Sequence, residues 1–161
     1  MRKLLKVLMF TLMITFLFAF SFTSTANADT TNAVFTKISY DVTRGVKLTT
    51  TLYVKVEDKN NIDYYSITKV TGKITILDGR TVIKGVTVKM GQNGSYMGKP
   101  IAQQTLTTKP KNVFSYTVYP DSKWKPVAKT WSWSVVGTSA VVDIQRGNSK
   151  WTLPQSNNVP F

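Results

Sequence analysis

From Val46 to Val56 the chain alternates without a break. Val46, Leu48, Thr50, Leu52, Val54 and Val56 fall on one parity, and Lys47, Thr49, Thr51, Tyr53 and Lys55 on the other. Successive side chains of a strand point to opposite faces, so this stretch predicts a strand with one covered face and one wet face. Residues 57–61 read as a polar turn. Residues 62–77 then predict one long strand, or two split near Gly72. Asp78-Gly79 lies between two β-rich runs and predicts a type I′ hairpin, whose two central residues need positive φ. Gly85 marks a bulge, because the alternation resumes at Val86, Val88 and Met90. Residues 91–98, rich in Gly, Asn and Ser, read as a loop. Further strands are expected over 101–108, 113–119, 131–136, 140–145 and 150–153. A turn-rich connection over 120–126 carries Trp124, and a turn over 146–149 carries Gly147.

The pattern amounts to eight to ten short strands with no helical period after residue 29. It predicts an all-β domain: an antiparallel β-sandwich of immunoglobulin-like type, with a closed β-barrel as the alternative. Residue usage agrees. Thr, Val and Ile fill 44 of the 133 positions from Asp29 onward, and Leu fills 5. Stiff β-branched side chains pack well on a pleated surface.

The amino terminus follows another rule. Arg2, Lys3 and Lys6 precede an uncharged run over 7–22, and Ala26-Asn27-Ala28 closes the segment. A basic start, an apolar stretch and a small-x-small site describe a helical signal peptide cleaved between Ala28 and Asp29. The alternative is an uncleaved anchor. The apolar run has 16 residues, interrupted by Thr11, Thr15 and Ser21, and a spanning helix needs about 20. The expected organisation is a leader over 1–28, one β-sandwich domain over 29–153 and a carboxy-terminal tail over 154–161. The protein is expected to be secreted.

The chain contains neither cysteine nor histidine. Thiol nucleophiles, disulfides and thiolate metal sites are impossible. The usual general base near neutral pH and the commonest metal ligand are also missing. The single Glu and seven Asp form no pair spaced for glycoside hydrolysis. Glu57, Asp58, Asn60, Asn61 and Asp63 lack the spacing of a calcium loop and read as a solvated turn. Asp41 and Asp143, in strand-like stretches, read as solvent-facing. No catalytic residue, metal site or cofactor is expected, and the chain reads as a non-enzyme. A cysteine-free exported chain is common among Gram-positive bacteria.

After the leader, 18 Lys and Arg face 8 Asp and Glu, a net charge of +10. Only Arg44, Arg80 and Arg146 are arginines. Lysine is a flexible point charge without arginine's bidentate fork, so the charge implies general attraction to polyanions. Lys47, Lys55, Lys73, Lys84 and Lys89 fall on polar parities. Their functional reading is a basic sheet face for an anionic cell-wall polymer or membrane surface; their structural reading is solubility and edge protection. Nucleic acid is not expected, since no motif for it is present. Trp131 and Trp133, two apart, share one face of their expected strand, as core or as a sugar-stacking platform. Trp151 carries the same choice. Trp124 stands between Lys123 and Lys125 in a loop, suited to a carbohydrate or anionic surface if exposed. Leu153-Pro154-Gln155-Ser156 lacks the Thr-Gly and hydrophobic tail of a wall-sorting signal, so any attachment is non-covalent.

The candidate binding residues are therefore Lys47, Lys55, Lys123, Trp124 and Lys125. They imply a secreted protein that binds the anionic cell envelope, a polymer or carbohydrate. The alternative is a secreted membrane-acting toxin or antimicrobial protein, because Thr-rich alternating strands also suit assembly in a bilayer.

Overall fold

The computed structural model describes residues 29–128, 130 and 132–160. The expected leader and Ala28, together with Trp131, lie outside them. The described chain contains nine strands: β1 (Thr30–Tyr40), β2 (Val46–Asp58), β3 (Asp63–Ile76), β4 (Val82–Tyr96), β5 (Lys99–Thr108), β6 (Ser115–Val118), β7 (Val127–Ala128), β8 (Val135–Arg146) and β9 (Ser149–Asn158). The all-β expectation holds. All pairings are antiparallel, in one sheet of order β1-β2-β3-β7-β4-β8-β9, with β5 added to β4 and β6 to β3. The sheet curls into a half-barrel with two leaves, β1-β2-β3-β6 and β5-β4-β8-β9. The two-residue β7 bridges them by pairing with Tyr64 and Tyr65 on one side and Ser95 on the other.

The alternation in β2 places Val46, Leu48, Thr50, Leu52 and Val54 inside, all buried. Val86, Val88 and Met90 of β4, and Val136, Ala140, Val142 and Ile144 of β8, meet them from the second leaf. Burial of these aliphatic side chains drives the closure of the two leaves. The core also holds polar ties. Gln155 Nε2 donates to Lys37 O (3.3 Å), Ser39 Oγ (2.9 Å) and Leu48 O (3.3 Å). Asn157 Nδ2 donates to Phe35 O (2.7 Å) and Thr50 O (3.2 Å). These amides fasten β9 beneath β1 and β2.

Gly72 has a steric reason to be glycine. A Cβ there would lie 2.0 Å from Cζ of Tyr116, whose ring crosses β3 at its register partner Gly72 and is buried.

Four expectations are corrected. Asp78-Gly79 closes no hairpin, because β3 and β4 are not neighbours, and Gly79 does not adopt positive φ. The segment is a link between leaves in which Thr81 N donates to Asp78 O (2.9 Å). The type I′ signature sits instead at Asn60 and Asn61, with φ of 58° and 60°. There Lys59 and Ile62 exchange both main-chain hydrogen bonds, and asparagine tolerates the left-handed region. Second, residues 91–96 are not a loop: β4 runs to Tyr96 and turns at Met97-Gly98, both at positive φ. Third, Trp133 does not lie on a strand: β8 begins at Val135, near the end of the strand expected over 131–136, and runs unbroken through the one expected over 140–145. Fourth, the chain does not loosen at Pro154. Strand β9 runs through Asn158, and Leu153, Gln155, Asn157 and Val159 are buried. The bulge at Gly85 is present, since the β4–β8 register shifts between Ile83 and Gly85.

Candidate functional site

The outward parity of the first leaf forms a broad face of hydroxyls, lysines and tyrosine. Thr36, Thr51, Thr71 and Thr117 are successive register partners across β1, β2, β3 and β6. They make one row at the strand spacing of about 4.8 Å, and Thr36 and Thr51 share a hydroxyl hydrogen bond of 3.1 Å. The flanking rows hold Ile38, Thr49, Lys73 and Ser115 on one side and Val34, Tyr53 and Lys69 on the other. Lys69 Nζ lies 4.5 Å from the Tyr53 ring centroid, a cation–π contact that holds the ammonium over the sheet. Lys47 stands one row beyond Thr49 on β2 and faces Tyr40 and Thr75.

Charge on this face is divided. Glu57 forms ion pairs with Lys55 and with Lys59, the latter at 2.9 Å. Hydrogen bonds from Lys55 and then Lys59 hold its carboxyl below the usual range. Lys47, Lys69 and Lys73 take part in none of the four ion pairs among the described residues. Three ammonium groups therefore remain available to an external anion on a face whose one carboxylate is already neutralised.

The five expected binding residues do not come together. Lys47 and Lys55 share the outer face of β2 but are eight residues apart, about 27 Å along a strand. Lys55 is partly neutralised by Glu57. Lys123, Trp124 and Lys125 occupy a separate loop beside β5. In it, Trp124 N donates to Asp121 O (3.0 Å), and Lys125 N donates to Gln104 Oε1 (2.6 Å). Gln92 Nε2 and Gln104 Nε2 both donate to Lys125 O. Lys123 and Lys125 are exposed, whereas Trp124 is half-buried and packs against the core. Trp124 is therefore as much a cover for the core as a surface ring. Trp151 is also partly buried on the core, and Trp133 is 48% exposed. Lys84 and Lys89 lie on the other leaf.

That second leaf presents a different outer face. Thr105, Gly91, Gly137 and Asn158 are successive partners across β5, β4, β8 and β9. The two adjacent glycines lower the surface, and Asn158 folds over Gly137, where a Cβ would meet its Oδ1 at 2.0 Å. The result is an open depression of about 250 Å³ lined by amide and hydroxyl side chains and Lys89. It offers hydrogen bonds but little charge.

One end of the fold is pinned by a polar cluster. Asp41, expected to face solvent, is buried at 4% exposure. It accepts from Val46 N (2.7 Å), Thr43 N (3.1 Å), Thr43 Oγ1 (2.6 Å) and Trp151 Nε1 (3.0 Å). Burial alone raises its pKa, but these hydrogen bonds outweigh it and hold the carboxyl below its ordinary value. Arg146 stacks over Trp151 at 5.6 Å and pairs with Asp78 at 3.1 Å. Asp78 is lowered to about 2, first by hydrogen bonds from Arg80. Two of the three arginines beyond residue 28 thus serve the architecture. Asp143 is exposed, as expected.

Sequence reasoning missed Lys69, Tyr53 and the threonine row. The row could be seen only once the pairing register was known. Lys69 was hidden by the β-bulge at Thr68, which reverses the parity of β3 between Ile67 and Lys69. Comparison with protein-family models, curated proteins and solved structures gave no match.

Proposed function

We propose that this chain is exported behind a leader cleaved between Ala28 and Asp29, and that the secreted domain is a non-enzymatic, immunoglobulin-like β-sandwich. It associates non-covalently with an anionic polymer of the cell envelope. The observation that carries this reading is the outer face of the first leaf, where Lys47, Lys69 and Lys73 stand outside the ion pairs of the described residues, amid hydroxyls and Tyr53. A net charge of +10 after the leader adds long-range attraction. A flat array of point charges and hydroxyls, without an enclosing pocket, suits a repeating polyanion better than a single small anion. The loop bearing Lys123, Trp124 and Lys125 is a secondary contact, with its lysines toward solvent.

Co-sedimentation with purified cell wall and with anionic vesicles, across a salt series, tests this. Exposed charges act over about 8 Å at physiological ionic strength, so binding is expected at low salt and loss of most of it near about 0.5 M. A protein that ignores both targets at low salt overturns the reading. Vesicle leakage on binding replaces it with the membrane-acting alternative.

A further inference from the structure

Among the described residues the sheet has four open edges, and three are guarded by their shape. β6 is only four residues long. β5 carries Pro100 beside its tight turn and is interrupted further along by a bulge, where its register with β4 shifts between Gln92 and Gly94. β9 carries Pro154: the bond from Val159 N to Val136 O (2.9 Å) sets the alternation that points Leu153 and Gln155 main-chain groups toward β8 and the Pro154 nitrogen toward the open edge. Short length and outward proline are established ways of stopping edge-to-edge pairing.

β1 has neither. It runs for 11 residues in uninterrupted register with β2. The bonds Asp58 N to Asp29 O and Asp41 N to Val46 O, both 3.1 Å, mark the odd-numbered residues as those bonded to β2. The N–H and C=O groups of Asn32, Val34, Thr36, Ile38 and Tyr40 therefore face the open edge, with no strand paired to them among the described residues. Beside this unpaired ladder, the outward side chains Val34, Ile38 and Tyr40 are 56%, 50% and 50% exposed.

We propose that the open edge of β1 pairs antiparallel with β1 of a second copy of this chain, with Thr36 opposite Thr36, to form one continuous sheet across a two-fold axis. The register follows from the sequence of the strand. Bonded pairs across the new edge must join even-numbered residues. Centring on Thr36 sets Val34 against Ile38 of the second copy and Ile38 against Val34, so that apolar meets apolar. Lys37 then faces Phe35. Centring one residue later sets Lys37 against itself, which like-charge repulsion disfavours; centring one residue earlier sets Val34 against Thr36 and loses the apolar match. The chosen register closes about ten main-chain hydrogen bonds and continues the threonine row from one copy into the other. The pairing is two-fold, and the match of exposed Val34 with exposed Ile38 on both sides of the axis favours a second copy over an unrelated strand.

The inference is independent of polyanion binding, and salt separates the two. Each copy is strongly basic, so screening strengthens self-association while it weakens polymer binding. Sedimentation of protein purified from its producing culture is expected to give twice the protomer mass at about 100 μM, more firmly at high salt. Thr36→Pro removes an edge donor that makes no bond to β2, and is expected to give a folded monomer, with folding checked by circular dichroism. Val34→Lys with Ile38→Lys opposes charges across the axis and is a second route to the monomer. The chain has no cysteine, so Thr36→Cys reports the register directly. It is expected to form a disulfide-linked dimer about tenfold faster than Thr71→Cys, two strands inward. A wild-type protomer mass at that concentration, or equal cross-linking at both positions, overturns the proposal.

Discussion

The two outer faces of this sheet are built by the same alternation and end up chemically opposite. On the first leaf, a central row of four threonines is flanked by Lys69 and Lys73 and by Tyr53. On the second leaf, the central row places Gly91 beside Gly137 between Thr105 and Asn158. β-branched residues raise a continuous surface from which lysines project. Paired glycines lower the surface and let an asparagine fold over the backbone. The inner faces of both leaves are alike in being mainly aliphatic and buried, with the amides of β9 among the polar exceptions. A curled antiparallel sheet of this type thus confines its chemical individuality to the parity that the core does not need.

The sharpest way to break the comparison is to remove charge from each face in turn. Lys47, Lys69 and Lys73 changed together to Gln are expected to weaken wall binding about 100-fold at low salt, at about 1 kcal/mol per lysine near an anionic surface. Lys84→Gln with Lys89→Gln on the second leaf is expected to cost less than about tenfold, because no array surrounds them. Equal loss per charge on both faces would reduce the protein to a uniformly basic particle.

Glycine substitutions compare the leaves next. Gly72→Ala drives a Cβ into the buried Tyr116 ring and is expected to cost about 3 kcal/mol in denaturant unfolding. Gly137→Ala meets the movable end of the Asn158 side chain at the same nominal distance and Asn157 O less closely, at 3.1 Å, and is expected to cost about 1 kcal/mol. The difference is whether the neighbour can move. Similar values would mean that Asn158 is held as firmly as the core.

The polar pin at Asp41 should respond to pH with a definite sign. Its folded pKa is depressed, so its stabilisation is fully present above the unfolded value of about 3.9 and fades as pH falls through the lower folded value. Asp41→Asn is expected to lower stability by about 2 kcal/mol at pH 7, with the gap to the wild type closing below about pH 4. A gap that stays constant in thermal melts down to pH 2 would show that the carboxylate charge is immaterial there.

The smallest effects concern the two turns. Gly79 has open space around it and no positive φ, so Gly79→Val is expected to shift stability by less than about 0.5 kcal/mol. Asn61→Gly, at a positive-φ position, is expected to stabilise by about 0.5 kcal/mol. A large loss at Gly79 would restore the hairpin that the strand order denies.

What could be read from the residues was local. The alternation in 46–56 specified β2 and its two faces, because the two-residue period of a strand is written directly in the order of side chains. The bulge at Gly85 and the turn at Gly147 were equally legible, since glycine punctuates a pattern without help from distant chain. The sequence alone also determined that no thiol or imidazole chemistry is available, and that a large positive charge is present. Pairing was beyond it. Asp78-Gly79 carries a strong hairpin signal, yet β3 takes β2, β6 and β7 as partners and β4 goes to β5, β7 and β8. Pro154 reads as a strand terminator, yet it sits where an edge strand needs no donor. Asp41 reads as a surface acid until Trp151, 110 residues later, is folded against it. The threonine row exists only because four strands adopt one register. Tertiary structure decided these points, because a register is chosen by the burial of all strands together, while a local pattern only limits which face each strand can offer.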